Sequence, residues 1–94
     1  MIRVVAHITA QPDKIEELKA VALELAVPTR QEPGCHRYEW HQNTEDPTDI
    51  TCIEEWASHS ALDEHLASAH VQSALKKMPD YATDVDIRRY HFIG

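Results

Sequence analysis

The strongest constraint on this chain is the order in which its hydrophobic periodicity changes. Ile2–Ala10 (IRVVAHITA) is β-branched and alternates, with Ile2, Val4, Ala6 and Ile8 on one face and Arg3, Val5, His7 and Thr9 on the other. The pattern then changes to steps of three and four. Ile15, Leu18, Ala22 and Leu25 form a helical stripe that Val21 and Ala26 widen. Asp13 is the expected cap, with Glu16 completing a capping-box pattern. Pro28 is expected to loosen the last turns, and Glu32-Pro33-Gly34 to end the helix. Cys35–Asn43 is the second expected strand, TEDPT (residues 44–48) a turn, and Asp49–Ala57 a third strand antiparallel to the second. Ser58 or Ser60 caps a second helix running to about Ala67 and continuing, with a break, to Lys77. Met78-Pro79-Asp80 is expected to be a loop before a last strand, Asp84–Ile93.

The order β-α-β-β-α-β predicts a ferredoxin-like α+β fold: an antiparallel four-stranded sheet with two helices on one face. Residues 1–94 form a single domain on this reading. At this size roughly 60–65% of the unfolded chain's surface can be buried, so the core is modest. Val, Ile and aromatic residues on both sheet faces make a solvent-facing sheet costly, and a homodimer closing sheet against sheet is the expected solution.

Charge and composition exclude several classes. With 16 acidic against 9 basic residues the net charge is −7, and the only dense basic pairs are Lys76-Lys77 and Arg88-Arg89. Nucleic acid needs clustered cations, so it is not an expected partner. No apolar run approaches the ~18–20 residues of a membrane span. The opening MIRVVAHITAQPDK reads as a strand rather than a signal peptide, and a cytoplasmic location is the expectation. Cys52 should lie opposite about residue 40. That offsets it from Cys35 by about 16 Å along the hairpin and argues against an intrachain disulfide. Only Gly34 and Gly94 are present, so no phosphate-cradling loop exists.

Seven histidines invite a metal reading, but there is no HExxH, no paired CxxC and no i, i+4 histidine pair. His65 and His70 would diverge by about 140° on a continuous helix. A metal site would have to be assembled from distant residues, and none is expected.

The segment EEWASHSALDEHLASAH (54–70) concentrates the candidate chemistry. Glu54 and Trp56 share a strand face, and His65 lies at the edge of a helical stripe made by Leu62, Leu66 and Ala69. The three could converge between sheet and helix as a carboxylate, an aromatic wall and an imidazole able to take a proton. His70 can join them if the helix continues. Tyr38 and Trp40 share the same sheet face if paired residues sum to an even number. His7 is the best placed of the strand histidines, and His59 should be exposed. Spacing alone favours a plain core, with Trp56 packed inside and His65 satisfied by Glu54 or a carbonyl.

Taken together, VPTRQEPGCHRYEWHQ and IEEWASHSALDEHLASAH resemble the antibiotic biosynthesis monooxygenase family, especially its small quinol-monooxygenase-like members. The shared pattern is an E-x-G-C-x-x-Y strand entry, then E-x-W, then a histidine nine residues later. Here these are Glu32, Gly34, Cys35, Tyr38, Glu54, Trp56 and His65, and His70 also fits.

The resemblance implies a dimeric α+β barrel with a pocket between sheet and helices. The associated chemistry is oxygenation of a phenol or quinol by dioxygen without flavin, haem or metal. His65 is then the expected base and Glu54 its orienting carboxylate. Trp56, Tyr38, His70 and His7 would contact substrate. Haem-degrading relatives carry an iron-binding histidine where this chain has Leu75. Other relatives isomerise phosphorylated keto compounds during signal breakdown, for which Arg3, Arg37 or Arg88 could meet a phosphate. A non-enzymatic small-molecule-binding dimer remains a third alternative.

Overall fold

A computed structural model describes residues 1–94. Strand β1 (Ile2–Ala10) lies at the centre of an antiparallel sheet, flanked by β3 (Asp49–Trp56) and β4 (Ala82–Tyr90), with β2 (Cys35–Gln42) outside β3. Helices α1 (Ile15–Arg30), α2 (His59–Ala67) and α3 (Ala69–Tyr81) complete the ferredoxin-like α+β arrangement. The second helical region is two helices, split at Ser68. No helix is long and apolar enough to cross a membrane.

Alternation along the strands sorts the residues between core and surface. Val4, Ala6, Ile8 and Ala10 of β1 are buried, as are Ile50, Cys52, Glu54 and Trp56 of β3. Against them pack Leu18, Ala22, Leu25 and Ala26 of α1, Leu62 of α2, and Val71, Ala74 and Met78 of α3. Burying a side chain of this kind contributes roughly 1.5–3 kcal/mol, which makes this shared inner face the main stabilising feature of a small domain.

The opposite sheet face is more polar than the alternation in β1 alone suggests. It carries the pairs Arg3–Glu55 at 2.9 Å, His7–Asp49 at 2.7 Å and Arg37–Glu39 at 3.0 Å. Val5 and Ile53, paired across β1 and β3, form its apolar centre.

Several local expectations are corrected. Asp13 does not cap α1. The Lys14 N–H closes a main-chain turn onto the Gln11 carbonyl at 2.9 Å, and Lys14 occupies the cap position without a side-chain bond. Pro28 sits inside α1, which runs on to Arg30 and finishes with the Gln31 and Glu32 N–H groups bonded to Pro28 and Thr29 carbonyls. Residues 78–80 are helical, not a loop. Met78 is buried in the core, and the Gln11 side chain donates to the Pro79 carbonyl at 3.2 Å, so both hold the last turn of α3 in place. Strand β4 accordingly begins at Ala82 and ends at Tyr90.

Of the two possible caps for α2, Ser58 is the one used, its Oγ accepting from the Ala61 N–H at 3.1 Å. Ser68 is extended (φ −65°, ψ 153°), so α3 restarts with a new phase. Ala69 is thereby exposed rather than part of the inner stripe, and His65 moves from its edge to its centre.

Candidate active site

The β2–β3 hairpin pairs Tyr38 with Glu54 and Trp40 with Cys52. This register, together with the pleat, puts Tyr38, Trp40, Cys52, Glu54 and Trp56 on the face beneath the helices. Cys35 and Cys52 are both free thiols. His65 descends from α2 onto this surface and is only 4% exposed. Its ring stacks obliquely on Trp56 at 4.5 Å between centroids and meets Tyr38 edge-on at 5.7 Å.

Tyr38, Trp40, Glu54 and His65 line a cavity of about 50 Å³ between the sheet and the helices, whereas Trp56 and Cys52 are fully buried and do not line it. Fourteen of its sixteen lining residues are hydrophobic; Glu54 and His65 are the two that are not. Leu66 and Leu75 cover one side, and Val85 and Ile87 of β4, both partly exposed, form the outer rim. Leu75 presents only an alkyl group here, which cannot ligate haem iron. Trp40 also lines the cavity, and its Nε1 is buried without a hydrogen-bond partner. An orphaned indole N–H on such a wall is a donor available to a guest's oxygen.

The carboxylate beside His65 is not Glu54. Glu54 Oε1 instead accepts from Trp56 Nε1 at 2.8 Å, fixing the indole. The partner of His65 Nδ1 is Glu32 Oε2 at 2.6 Å. Glu32 is reachable because of Gly34, whose φ of +85° turns the chain sharply. A Cβ at Gly34 would lie 2.8 Å from the Ala61 Cβ, so only glycine lets this loop press against α2. The Cys35 N–H to Glu32 carbonyl bond (3.2 Å) and the Ala57 N–H to Gly34 carbonyl bond (2.8 Å) secure it. The E-x-G-C signature could have pointed to Glu32, since a glycine obligatory for close approach delivers the residue two before it.

The remaining candidates fall elsewhere. His70 lies behind His65, outside the cavity, with Nε2 3.3 Å from the same Glu32 oxygen and 3.2 Å from Ser68 Oγ. His7 projects from the opposite sheet face, partly exposed, toward Asp49. His59 is exposed against Arg89 at 3.0 Å. Arg3, Arg37 and Arg88 are on the face away from the cavity, each paired with a carboxylate.

Burial governs the electrostatics. It raises Glu54 from 4.5 to about 7, opposed by the bond from Trp56, so near neutrality this group can hold or release a proton. Burial lowers His65, opposed by Glu32, which favours a neutral imidazole. Desolvation also raises the Tyr38 phenol and the Cys52 thiol, keeping both protonated. With Glu32 ionised, it accepts the Nδ1–H of His65, and that tautomer leaves the Nε2 lone pair free to take a proton.

Comparison with known proteins matches residues 1–77 to the family model described as antibiotic biosynthesis monooxygenase. The uncharacterized protein sll1783 of Synechocystis sp. is 31% identical over 95% of this chain, which spans 61% of that protein's length. Rv0793 of Mycobacterium tuberculosis, whose monooxygenase designation is provisional, is 33% identical over 73% of this chain and 67% of its own. The crystal structure of SO0527 from Shewanella oneidensis superimposes with a TM-score of 0.94 at 32% identity, covering 97% of this chain and 89% of that one. The paired glutamate and histidine, the aromatic wall and these matches agree: the chain belongs to the antibiotic biosynthesis monooxygenase family.

Proposed function

We propose that this protein is a cofactor-independent monooxygenase that oxidises a phenolic or quinol-type aromatic substrate with dioxygen. The observation that carries the reading is the Glu32–His65 pair, set at the wall of an apolar cavity with one imidazole nitrogen free. His65 Nε2 would accept the phenolic proton, and Glu32 would steady the resulting imidazolium. The phenolate is electron-rich enough to pass an electron to dioxygen. Recombination forms a carbon–oxygen bond, and loss of water from the hydroperoxide leaves one oxygen atom in the product. The peroxide anion takes back the proton held by His65. As the O–O bond then breaks, Glu54 protonates the departing hydroxide, and the hydrogen on the oxygenated carbon leaves as the proton that restores Glu54. Tyr38 would hold the ring, Trp56 would back the His65 imidazole from behind, and the Trp40 N–H would meet a substrate oxygen. The apolar lining excludes solvent from the oxygen chemistry. A bicyclic ring exceeds the resting cavity, so Leu66 and Leu75 are the side chains expected to yield.

An isomerase of phosphorylated keto compounds is less well supported. The three arginines that might hold a phosphate are paired on the opposite sheet face. The polar sheet face with Val5 and Ile53 at its centre would close against a second copy as a homodimer, and free Cys35 and Cys52 suit a reducing, cytoplasmic setting.

The test is dioxygen uptake by chelator-treated protein with menadiol and with a dihydroxyanthrone-type phenol, beside His65→Ala. Uptake above autoxidation that is lost in the variant is the expected result. Unchanged uptake in the variant removes His65 as the base. No uptake with either substrate overturns the oxygenase reading in favour of an isomerase or a binding protein.

A further inference from the structure

Behind the cavity wall, Glu32, His65 and His70 bring one carboxylate oxygen and two imidazole nitrogens within 4.8 Å of one another. We propose that this cluster binds one divalent first-row transition-metal ion of the Zn²⁺, Co²⁺ or Ni²⁺ class, through Glu32 Oε2, His65 Nδ1 and His70 Nε2.

The geometry is close to what such an ion requires. Tetrahedral metal–ligand bonds of about 2.0–2.2 Å place neighbouring ligand atoms roughly 3.3–3.6 Å apart. Glu32 Oε2 and His70 Nε2 are already 3.3 Å apart. Glu32 Oε2 and His65 Nδ1, at hydrogen-bond distance (2.6 Å), have to open by roughly 0.7–1 Å to reach that spacing. His70 sits in the first turn of α3, and a side-chain rotation there brings its nitrogen nearer His65. The break at Ser68 makes the set possible. On a continuous helix the two imidazoles would diverge by about 140°, and the extended Ser68 backbone cancels that divergence.

The supporting shell is also present. Ser68 Oγ donates to the His65 carbonyl at 2.6 Å, fixing the link between the two histidines. Trp56 backs the His65 ring. The Ala57 N–H to Gly34 carbonyl bond and the Cys35 N–H to Glu32 carbonyl bond hold Glu32 in position. Two imidazoles and one carboxylate suit Zn²⁺, Co²⁺ or Ni²⁺ rather than Mg²⁺ or Ca²⁺, which prefer oxygen ligands throughout. His65 is buried, but Glu32 and His70 remain partly exposed, so an ion has an entry route and water can complete its coordination. The metal-free Glu32–His65 hydrogen bond and the loaded site are alternative states of the same atoms. Binding therefore does not depend on the oxygenase reading and is measured without it.

Tag-free, chelator-stripped protein is titrated with CoCl₂ while visible absorption is recorded, then with ZnSO₄, and thermal unfolding is followed in parallel. The expected result is saturation at one Co²⁺ per chain, displacement by Zn²⁺, and a metal-dependent rise in Tm. His70→Ala and Glu32→Gln should each weaken binding at least ~10-fold, the lower end of what even outer-shell partners contribute. His36→Ala, at an exposed strand position, should leave binding unchanged. Far-UV circular dichroism checks that the variants are folded, and His70→Gln serves if His70→Ala is not. Absence of saturable Co²⁺ uptake, or uptake unaltered in both ligand variants, overturns the proposal; the latter would assign the metal to exposed histidines.

Discussion

A carboxylate oxygen of Glu32 lies 2.6 Å from Nδ1 of His65, a residue 33 positions further along the chain. The contact joins the loop after α1 to the last turn of α2 and decides which imidazole nitrogen is free. It replaces the Glu54–His65 pairing that strand and helix spacing suggest, because Glu54 is already engaged by the Trp56 indole.

Replacing Glu32 by Gln should therefore act through His65 rather than through the substrate. The amide can present a donor to Nδ1 and favour the opposite tautomer, removing the free lone pair from Nε2. The expected loss in kcat for quinol oxidation is about 10²–10⁴-fold with KM changed little, by analogy with loss of the orienting carboxylate in a serine-protease triad. Steady-state oxygen uptake separates the two parameters. A rise in KM at constant kcat would instead make Glu32 a binding residue.

Gly34→Ala should destabilise the fold through two additive causes. The left-handed backbone costs a non-glycine residue about 1–2 kcal/mol. The new methyl would also meet the Ala61 Cβ at 2.8 Å. Thermal unfolding should show a clear drop in Tm, and adding Ala61→Gly should recover only the steric part. A Gly34→Ala protein as stable as the parent would contradict the close approach.

The pH dependence of stability should bear the mark of Glu54. Its carboxyl titrates near 4.5 when unfolded and at about 7 in the fold. Between these values the folded chain holds a proton that the unfolded chain has released, so stability falls as pH rises from about 4.5 to 7 and stays low above. For a group this buried the effect is at most about 3 kcal/mol. Glu54→Gln, whose amide oxygen can still accept from Trp56, should flatten this slope and raise stability at pH 8. Chemical denaturation at pH 5 and pH 8 measures both; parallel pH profiles for parent and variant would rule Glu54 out as the source.

The uncovered sheet face predicts self-association. Val5 and Ile53 stand together among paired charges, a pattern suited to a partner with the same pattern in reverse. Light scattering after size exclusion should give a dimer mass for the parent and a monomer for Ile53→Lys, with helical content retained. A monomeric parent would leave this face to solvent.

Strand alternation and helical stripes in the amino-acid sequence were enough to determine the element order and which residues of each strand share a face, while the hairpin register stayed open between two parities. These follow from fixed periods of two and 3.6 residues, which need no knowledge of neighbours. The same local rules put Glu54 and Trp56 on one strand face with His65 at the edge of a helical stripe, but left Tyr38 open until the hairpin register paired it with Glu54. They misplaced the Asp13 cap and the 78–80 loop, where a main-chain turn and a buried methionine outweigh local propensity. They also could not pair Glu32 with His65, exclude His7 from the pocket or bring His70 beside His65. Those outcomes depend on how closely the Gly34 loop approaches α2 and on the break at Ser68. Both are settled by packing between segments far apart in the chain, where a single Cβ or one extended residue redirects a whole side chain, and such contacts exist only in the folded molecule.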